Sequence, residues 1–454
     1  MATNPSNRAP REAVGAASRV AAGELLFSVV ETGADLETAL GAVGSYARLE
    51  GSDRAFARAI ASAALRGLGR IDYALGGLVD RPLEKVEAPL RALLRAGCAQ
   101  LWLLGVAEHA AVSATVDAAR DWRATRRGGG LVNAVLRRAA GEAGRDAFAS
   151  APATSVWPDW LAARIKAALG EARADALARL QLDEPPLDLT LKPGIHPETL
   201  AEQCEGEALP NGSVRLPAGA TLTELPGYAS GDWWVQDAGA SLAAKLLGDV
   251  AGFRVADLCA APGGKALQLA AAGAHVTAID ISRQRLALVR ENAARVGASM
   301  DIIEADAREW RPAAPLDAVL LDAPCSALGV LRRHPEGAWR RDPAGLARFP
   351  KAQAALLAAA GDMLKPGGRL VYCVCTPNPE EGREIVDAAV VRGGWRRVPV
   401  AAKEVPGFTH ALTHDGDVIT APPVCDAEAA LSREIVAEPV NSDVFYVSRL
   451  ERTG

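Results

Sequence analysis

The stretch VADLCAAPGGKALQLA, residues 255–270, reads as a strand that runs into a glycine-rich turn and then a helix. Such a turn brings backbone N–H groups and a helix N-terminus against a ligand, because Gly263 and Gly264 carry no side chain to obstruct it. The spacing is not G-x-G-x-x-G, so it gives no direct support to a dinucleotide site. Around it, apolar runs rich in β-branched residues alternate with helix-like stretches: HVTAID, MDIIEAD, LDAVLLDAP and GGRLVYCVC, with a last strand expected at Val444–Val447. Strands alternating with helices predict a mostly parallel sheet covered on both faces.

Upstream the texture differs. Residues 11–145 read as helices, with apolar residues at three- and four-residue steps such as Leu90, Leu93, Leu94, Leu101 and Leu104. Breaks fall at Arg81-Pro82 and Gly128-Gly129-Gly130. From Ala151 a linker, a helix near Leu161–Leu169, a strand in LDLTLKP and short β-prone pieces such as GSVRLP form a small α/β segment. The chain therefore divides into a helical domain (1–145), a linker with a small α/β domain (146–235) and an alternating α/β domain (236–454).

Net charge is −5, which argues neither for nor against a polyanionic partner. Its distribution says more: residues 1–145 hold 19 Lys+Arg against 15 Asp+Glu, leaving +4 there and −9 in the remainder. A positive domain on an acidic protein fits phosphate binding, and a solvated helix surface fits equally well. The seven cysteines, at 98, 204, 259, 325, 373, 375 and 425, are odd in number and scattered, so reduced thiols in a cytoplasm are expected. Neither an apolar run of bilayer length nor an export signal is visible.

Asp280 and Asp306 end successive strands after the glycine-rich turn, where carboxylates can accept hydrogen bonds from ribose hydroxyls and lie near an adenine. Singly, each is more often a cap or turn residue. Asp322-Ala-Pro-Cys325-Ser326 ends the fourth strand and Cys375 the fifth, so two thiols and a carboxylate converge beside the same crevice. A free cysteine is commonly just a small buried hydrophobe. No metal is expected, since Cys373-x-Cys375 lacks both the usual spacer and a second ligand pair.

These residues resemble the RNA 5-methylcytosine methyltransferases of the NOL1/NOP2/sun group. DLCAAPGGK (257–265), DAPCS (322–326) and the Cys375 segment match its cofactor loop and both cysteine motifs. RPLEKVEAPLRALLRAGCAQLWLL, EHAAVSATVDAAR and GLVNAVLRR are similar to the NusB-like front domain of its bacterial ribosomal members, and GVLRRHPEGAW (329–339) to the stretch after the first cysteine motif. The resemblance implies a multidomain α plus α/β protein: an N-terminal all-α NusB-like domain, a small α/β middle domain, and a C-terminal Rossmann-like class I S-adenosylmethionine-dependent methyltransferase domain. It implies that Cys259, Ala260, Ala261, Pro262, Gly263, Gly264, Lys265, Asp280, Asp306 and Asp322 bind S-adenosylmethionine, which leaves as S-adenosylhomocysteine.

By the same resemblance Cys375 is the nucleophile, Cys325 assists product release, Asp322 lies close to the target base and Lys265 helps polarise the site. A thiol of lowered pKa is needed for this, and a nearby Lys265 would favour one. DNA cytosine methyltransferases use the cysteine of their Pro-Cys motif instead, which makes Cys325 the rival nucleophile. The implied substrate is a cytosine of 16S ribosomal RNA, with no DNA, no membrane and a monomer expected. The same chemistry on tRNA, or a catalytically inactive RNA-binding protein, are the competing readings. RNA contacts are expected at Arg126, Arg127, Arg137 and Arg138 in front, and at Arg332, Arg333, Arg340 and Arg341 with Trp339 for stacking. The chain departs from the group in Tyr372-Cys373-Val374-Cys375-Thr376, where Tyr-x-Thr-Cys-Ser is usual, and in Ser442-Asp443-Val444-Phe445 near the C-terminus, where Asp-Gly-Phe-Phe is usual. Cys373 is read as a packing residue.

Overall fold

Leu, Ala and Val at helical spacing give the longer later helices of the front segment an apolar stripe, and these close around the first helix, which is buried nearly all round. The structure, a computed structural model, describes residues 15–424 and 439–454. Cys425 lies outside the described residues. Helices run at Ala16–Thr32, Leu36–Ala42, Gly44–Ala47, Gly51–Arg66, Leu68–Gly76, Ala88–Trp102, Glu108–Asp121, Gly129–Ala140 and Glu142–Ser150. Leu25, Leu26, Ile60, Leu93, Leu94 and Leu136 are buried in one core. At roughly 2 kcal/mol for each such side chain, burial rather than helix propensity holds the bundle. Of the three glycines read as a break, Gly129 and Gly130 instead open a helix.

Among the described residues, the front compact unit comprises 15–163 together with 178–184 and 331–341. The later pieces are tied in by backbone acceptors: Gln181 Nε2 donates to Leu331 O at 2.9 Å, and Arg332 Nε donates to Leu180 O at 3.1 Å. Arg340 Nε donates to Gly33 O at 2.8 Å.

Among the described residues, the second unit comprises 164–177, 185–330, 342–424 and 439–454. It starts with an antiparallel sheet ordered β2-β3-β1-β4, from Leu187–Leu191 (β1), Glu207–Ala208 (β2), Val214–Leu216 (β3) and Trp233–Val235 (β4). The small sheet falls in the same compact unit as the alternating α/β residues that follow, and polar contacts bond it to them. The buried Asp188 carboxylate pairs with both arms of Arg215, at 2.7 and 2.9 Å, and accepts from Ala238 N. Arg215 also reaches Asn441 O, and Gln236 Nε2 donates to Gln268 Oε1 at 2.6 Å.

The large sheet contains Arg254–Leu258 (β5), His275–Asp280 (β6), Asp301–Glu304 (β7), Leu316–Asp322 (β8), Leu364–Val374 (β9), Trp395–Arg397 (β10), Val418–Ile419 (β11) and Tyr446–Arg452 (β12). Its order is β10-β12-β9-β8-β5-β6-β7, with β11 on β12. The strands β7, β6, β5, β8 and β9 are parallel, and β12 enters antiparallel. Val255, Ala256, Leu258, Ala318, Val319, Leu320 and Leu321 are fully buried, as central strands covered on both faces require. The last strand starts at Tyr446, not Val444, because Val444 N bonds to Gly329 O outside the ladder. From β5 the chain builds outward through β6 and β7, then returns to β8 and β9 on the other side. Order reverses between β5 and β8, so a crevice opens beyond their carboxyl ends. No helix among the described residues is long and apolar enough to cross a membrane.

Candidate active site

Beyond Leu258 the chain leaves β5 through residues that no strand accommodates. Cys259 takes a left-handed conformation (φ 63°) and Gly263 another (φ 108°), from which the helix Gly264–Ala271 starts. A Cβ at Gly263 would sit 3.2 Å from Val289 Cγ1. Ala260 N donates to Ile279 O, fastening the loop to β6. Asp280, 4% exposed at the end of β6, accepts from Ala261 N at 3.2 Å and Ser282 N at 2.9 Å, with Arg285 at 3.5 Å. Asp306 is gripped by Arg308, whose side chain and N–H hold its carboxyl below the usual carboxylate range. Asp280 and Asp306 are thus fixed acceptors for hydroxyl and amine groups. Asp280 beside Arg285, Asp306 beside Arg308 and Asp322 beside Lys265 each keep a carboxylate oxygen at the carboxyl edge of the sheet.

Lys265 rises from the first turn of that helix, and its Nζ donates to Asp322 Oδ2 at 2.7 Å. Burial alone would lower its pKa, but Asp322 more than offsets this and the net shift is upward. The expectation that Lys265 activates a thiol needs correction: its charge is spent on Asp322, and its Nζ also lies 5.5 Å from the centre of the Phe445 ring. Cys373 is fully buried, and its Sγ lies 3.5 Å from Asp322 Oδ1. Burial first, and Asp322 second, push its thiol well up, so it sits in the core as a neutral group.

Asp257 on β5 escaped the sequence reading, since a lone Asp before an apolar residue looks like any strand end. It is fully buried, and burial pushes its carboxyl from 3.8 up to about 8, with Lys265 pulling the other way. For a carboxyl raised in this way, the protonated form is favoured by folding. Its stabilisation is complete below about pH 4 and declines until pH reaches about 8. Asp257→Asn, neutral throughout, should therefore gain Tm over the parent protein as pH rises from 4 to 8, the difference levelling above that. Thermal melts at stepped pH read it, and a pH-independent difference would show that Asp257 ionises like an ordinary aspartate.

The two thiols meet because the loop after β8 runs alongside the end of β9. Ala323 N donates to Cys373 O at 3.0 Å, and Gly329 N donates to Cys375 O at 2.9 Å. Gly329 is required there: a Cβ would fall 1.9 Å from Val444 O. Between these ties Ala327 adopts a left-handed φ of 54°, and Cys325 Sγ is brought to 3.3 Å from Cys375 Sγ. Both residues are half-buried. The bond to Cys375 and then burial push the Cys325 thiol well up. Two sulfurs at hydrogen-bond distance form an arrangement in which one can attack and the other manage its proton.

The basic residues fall less neatly. Arg126, Arg127, Arg137 and Arg138 are exposed on the helical unit, though Arg138 pairs with Asp80 at 3.0 Å. Arg340 is exposed and Arg333 half-buried. Arg332 is 5% exposed with its Nε on Leu180 O, so a direct phosphate contact there is not available in this conformation. Trp339 covers Gly69 and its indole nitrogen is buried, which removes it as a stacking platform. A groove of about 1080 Å³, lined by Trp234, Arg254, His275, Met300 and Trp310 among others, lies at the amino ends of β5, β6 and β7, the opposite edge from the thiols. Among the described residues no group of three or more His, Cys, Asp or Glu could hold a metal ion.

Comparisons with known proteins bear on the whole chain. The family described as 16S rRNA methyltransferase RsmB/F matches residues 244–451, and the NusB family matches residues 16–141. Over 399 residues the chain is 37% identical to ribosomal RNA small subunit methyltransferase B of Xanthomonas campestris pv. campestris, covering 84% of this chain and 89% of that protein. The same-named protein of Vibrio cholerae serotype O1 is 34% identical over 405 residues, 86% of this chain and 92% of that one. Among solved structures, the crystal structure of PH0851 superposes with a TM-score of 0.70 over 96% of this chain and 99% of that one, at 20% identity. NSun6 from Pyrococcus horikoshii, solved with SFG, gives 0.54 over 65% of this chain and 98% of that one, at 18% identity.

Proposed function

Because this chain belongs to the ribosomal RNA small subunit methyltransferase B family, and is thus an S-adenosylmethionine-dependent RNA methyltransferase, we propose that it methylates C5 of a cytosine in 16S ribosomal RNA through a covalent adduct with Cys375. The observation that carries this reading is the 3.3 Å approach of Cys325 Sγ to Cys375 Sγ, beside the crevice where the sheet order reverses.

C5 of cytosine is too weak a nucleophile to take a methyl group directly. The Cys375 thiolate adds to C6, and the ring becomes an enamine whose C5 is nucleophilic. Bound S-adenosylmethionine supplies an electrophilic methyl group. Cleavage of the S–C6 bond then frees the base, the C5 proton passing to the Cys325 sulfur as that thiol gives its own proton to Cys375. Asp322, held by Lys265 on Oδ2 and beside the Cys373 thiol on Oδ1, is the proposed carboxylate next to the target base. The target nucleotide must leave its stack to reach Cys375, so a loop or flipped base is the expected substrate form. Arg126 and Arg127 on the helical unit, with Arg333 and Arg340, are the proposed phosphate contacts, and the enzyme acts in the cytoplasm where ribosomal RNA is made.

Cys259–Lys265, Asp280 and Asp306 are the proposed cofactor residues. Gly263→Ala should weaken S-adenosylmethionine binding about tenfold, since an L-residue in the left-handed region costs roughly 1–2 kcal/mol. Calorimetry measures it, and an unchanged Kd removes this loop from the cofactor site. Incubation with methyl-labelled cofactor and separated rRNA and tRNA pools tests the substrate. Label is expected in 16S rRNA, and label confined to tRNA defeats the assignment.

A further inference from the structure

We infer that Glu381 is the positioning residue that holds Cys325 in line with Cys375. Glu381 is 2% exposed and lies six residues after Cys375, yet its carboxylate reaches the other cysteine loop as well. Oε2 accepts from Ser326 N at 2.7 Å, and Oε1 accepts from Ser326 Oγ at 2.5 Å, clamping the residue next to Cys325. Oε1 also accepts from Asn378 Nδ2 at 2.7 Å, three residues after Cys375. Gln353 Nε2 bridges Pro324 O at 3.0 Å and Oε2 at 3.3 Å, closing the clamp from the other side of Cys325. Across the gap Ser326 Oγ lies 3.0 Å from Thr376 Oγ1, so the residues following each cysteine touch directly as well. The backbone is fixed too, since Tyr372 on β9 donates from Oη to Glu381 O at 2.5 Å.

Four donors aimed at one buried group call for a carboxylate. An amide offers one oxygen, and its NH2 would face donors with nothing to accept. The negative charge also acts on the neighbouring sulfur, adding to the forces that push the Cys325 thiol up. Glu381 touches no reacting atom in the proposed reaction; it sets where the second thiol stands. The inference rests on the two-thiol reading for its catalytic consequence, but the geometric claim stands by itself and is tested separately.

The distance between the thiols is read by exchange with oxidised glutathione, which takes both thiol hydrogens as two reduced glutathiones and leaves a Cys325–Cys375 disulfide, identified by peptide mapping. Relative to the parent protein, Glu381→Gln should slow formation of this disulfide at least about tenfold, and Ser326→Ala, a milder change that keeps the carboxylate, several-fold. S-Adenosylmethionine affinity serves as the check that each variant is folded, and Ser326→Ala decides if Glu381→Gln is not. In single-turnover assays Glu381→Gln should form the RNA adduct but release product slowly, with Glu381→Asp recovering part of the rate. Unchanged disulfide rates in folded variants, or release at the parental rate despite slowed disulfide formation, overturn the inference. Slowed disulfide formation with no RNA adduct in any variant instead overturns the covalent mechanism and leaves the clamp standing.

Discussion

Cys375→Ser is expected to lower methyl transfer to 16S rRNA by at least about 10⁴-fold, the scale on which losing a catalytic nucleophile is felt. A serine hydroxyl at neutral pH offers almost no alkoxide. The Cys375 sulfur has the Cys325 sulfur at 3.3 Å, which is no general base for a hydroxyl. Folding should survive, because Cys375 is half-buried and Cys-to-Ser is nearly isosteric there. Cofactor binding measured by calorimetry should stay within a factor of about two, since the substitution leaves residues 259–265 unchanged. Incorporation of labelled methyl into rRNA is the readout, and any preparation retaining more than a few per cent of activity refutes the role.

Cys325→Ser should fail later and differently. The adduct forms, because Cys375 and the cofactor loop are intact, but the departing sulfur has lost its proton donor. General acid assistance of this kind contributes on the order of 10²–10⁴ in rate, so turnover should fall by that much while a covalent protein–RNA species accumulates. A band that survives denaturing electrophoresis and disappears on nuclease treatment identifies it. The double variant should show no band. If Cys375→Ser accumulates the adduct and Cys325→Ser loses it, the nucleophile is the Pro-Cys cysteine and the two roles are exchanged.

Much of this was legible in the residue order. Strand identity followed from short apolar runs at regular spacing, and the glycine-rich turn from Gly263 and Gly264, because both depend on local backbone physics. The pairing of Asp322-Ala-Pro-Cys325 with Cys375 at one sheet edge followed from the rule that parallel strands deliver their carboxyl ends to one crevice. Where local patterns stopped being informative, long-range contacts had taken over. The stretch 331–341 follows a catalytic motif in sequence but compacts with the helical unit, through acceptors at Leu180 and Gly33 that no local pattern announces. Arg332 looked like a surface cation until a backbone carbonyl claimed it.

Charge partners were equally hidden. Lys265 and Asp322 lie 57 positions apart, and only the fold decides that the ammonium serves the carboxylate and not a thiol. Glu381, beside Glu380 just ahead of a helix at Arg383–Arg392, reads as an ordinary first-turn acid. Its meaning comes from Ser326 and Gln353, brought to it from 55 and 28 residues away. The residue order by itself determined the elements, their alternation and which thiols share an edge, since these follow from side-chain periodicity and backbone sterics. The tertiary structure alone decided which buried polar groups satisfy one another, because in a low-dielectric interior that choice depends on ångström distances between segments remote along the chain.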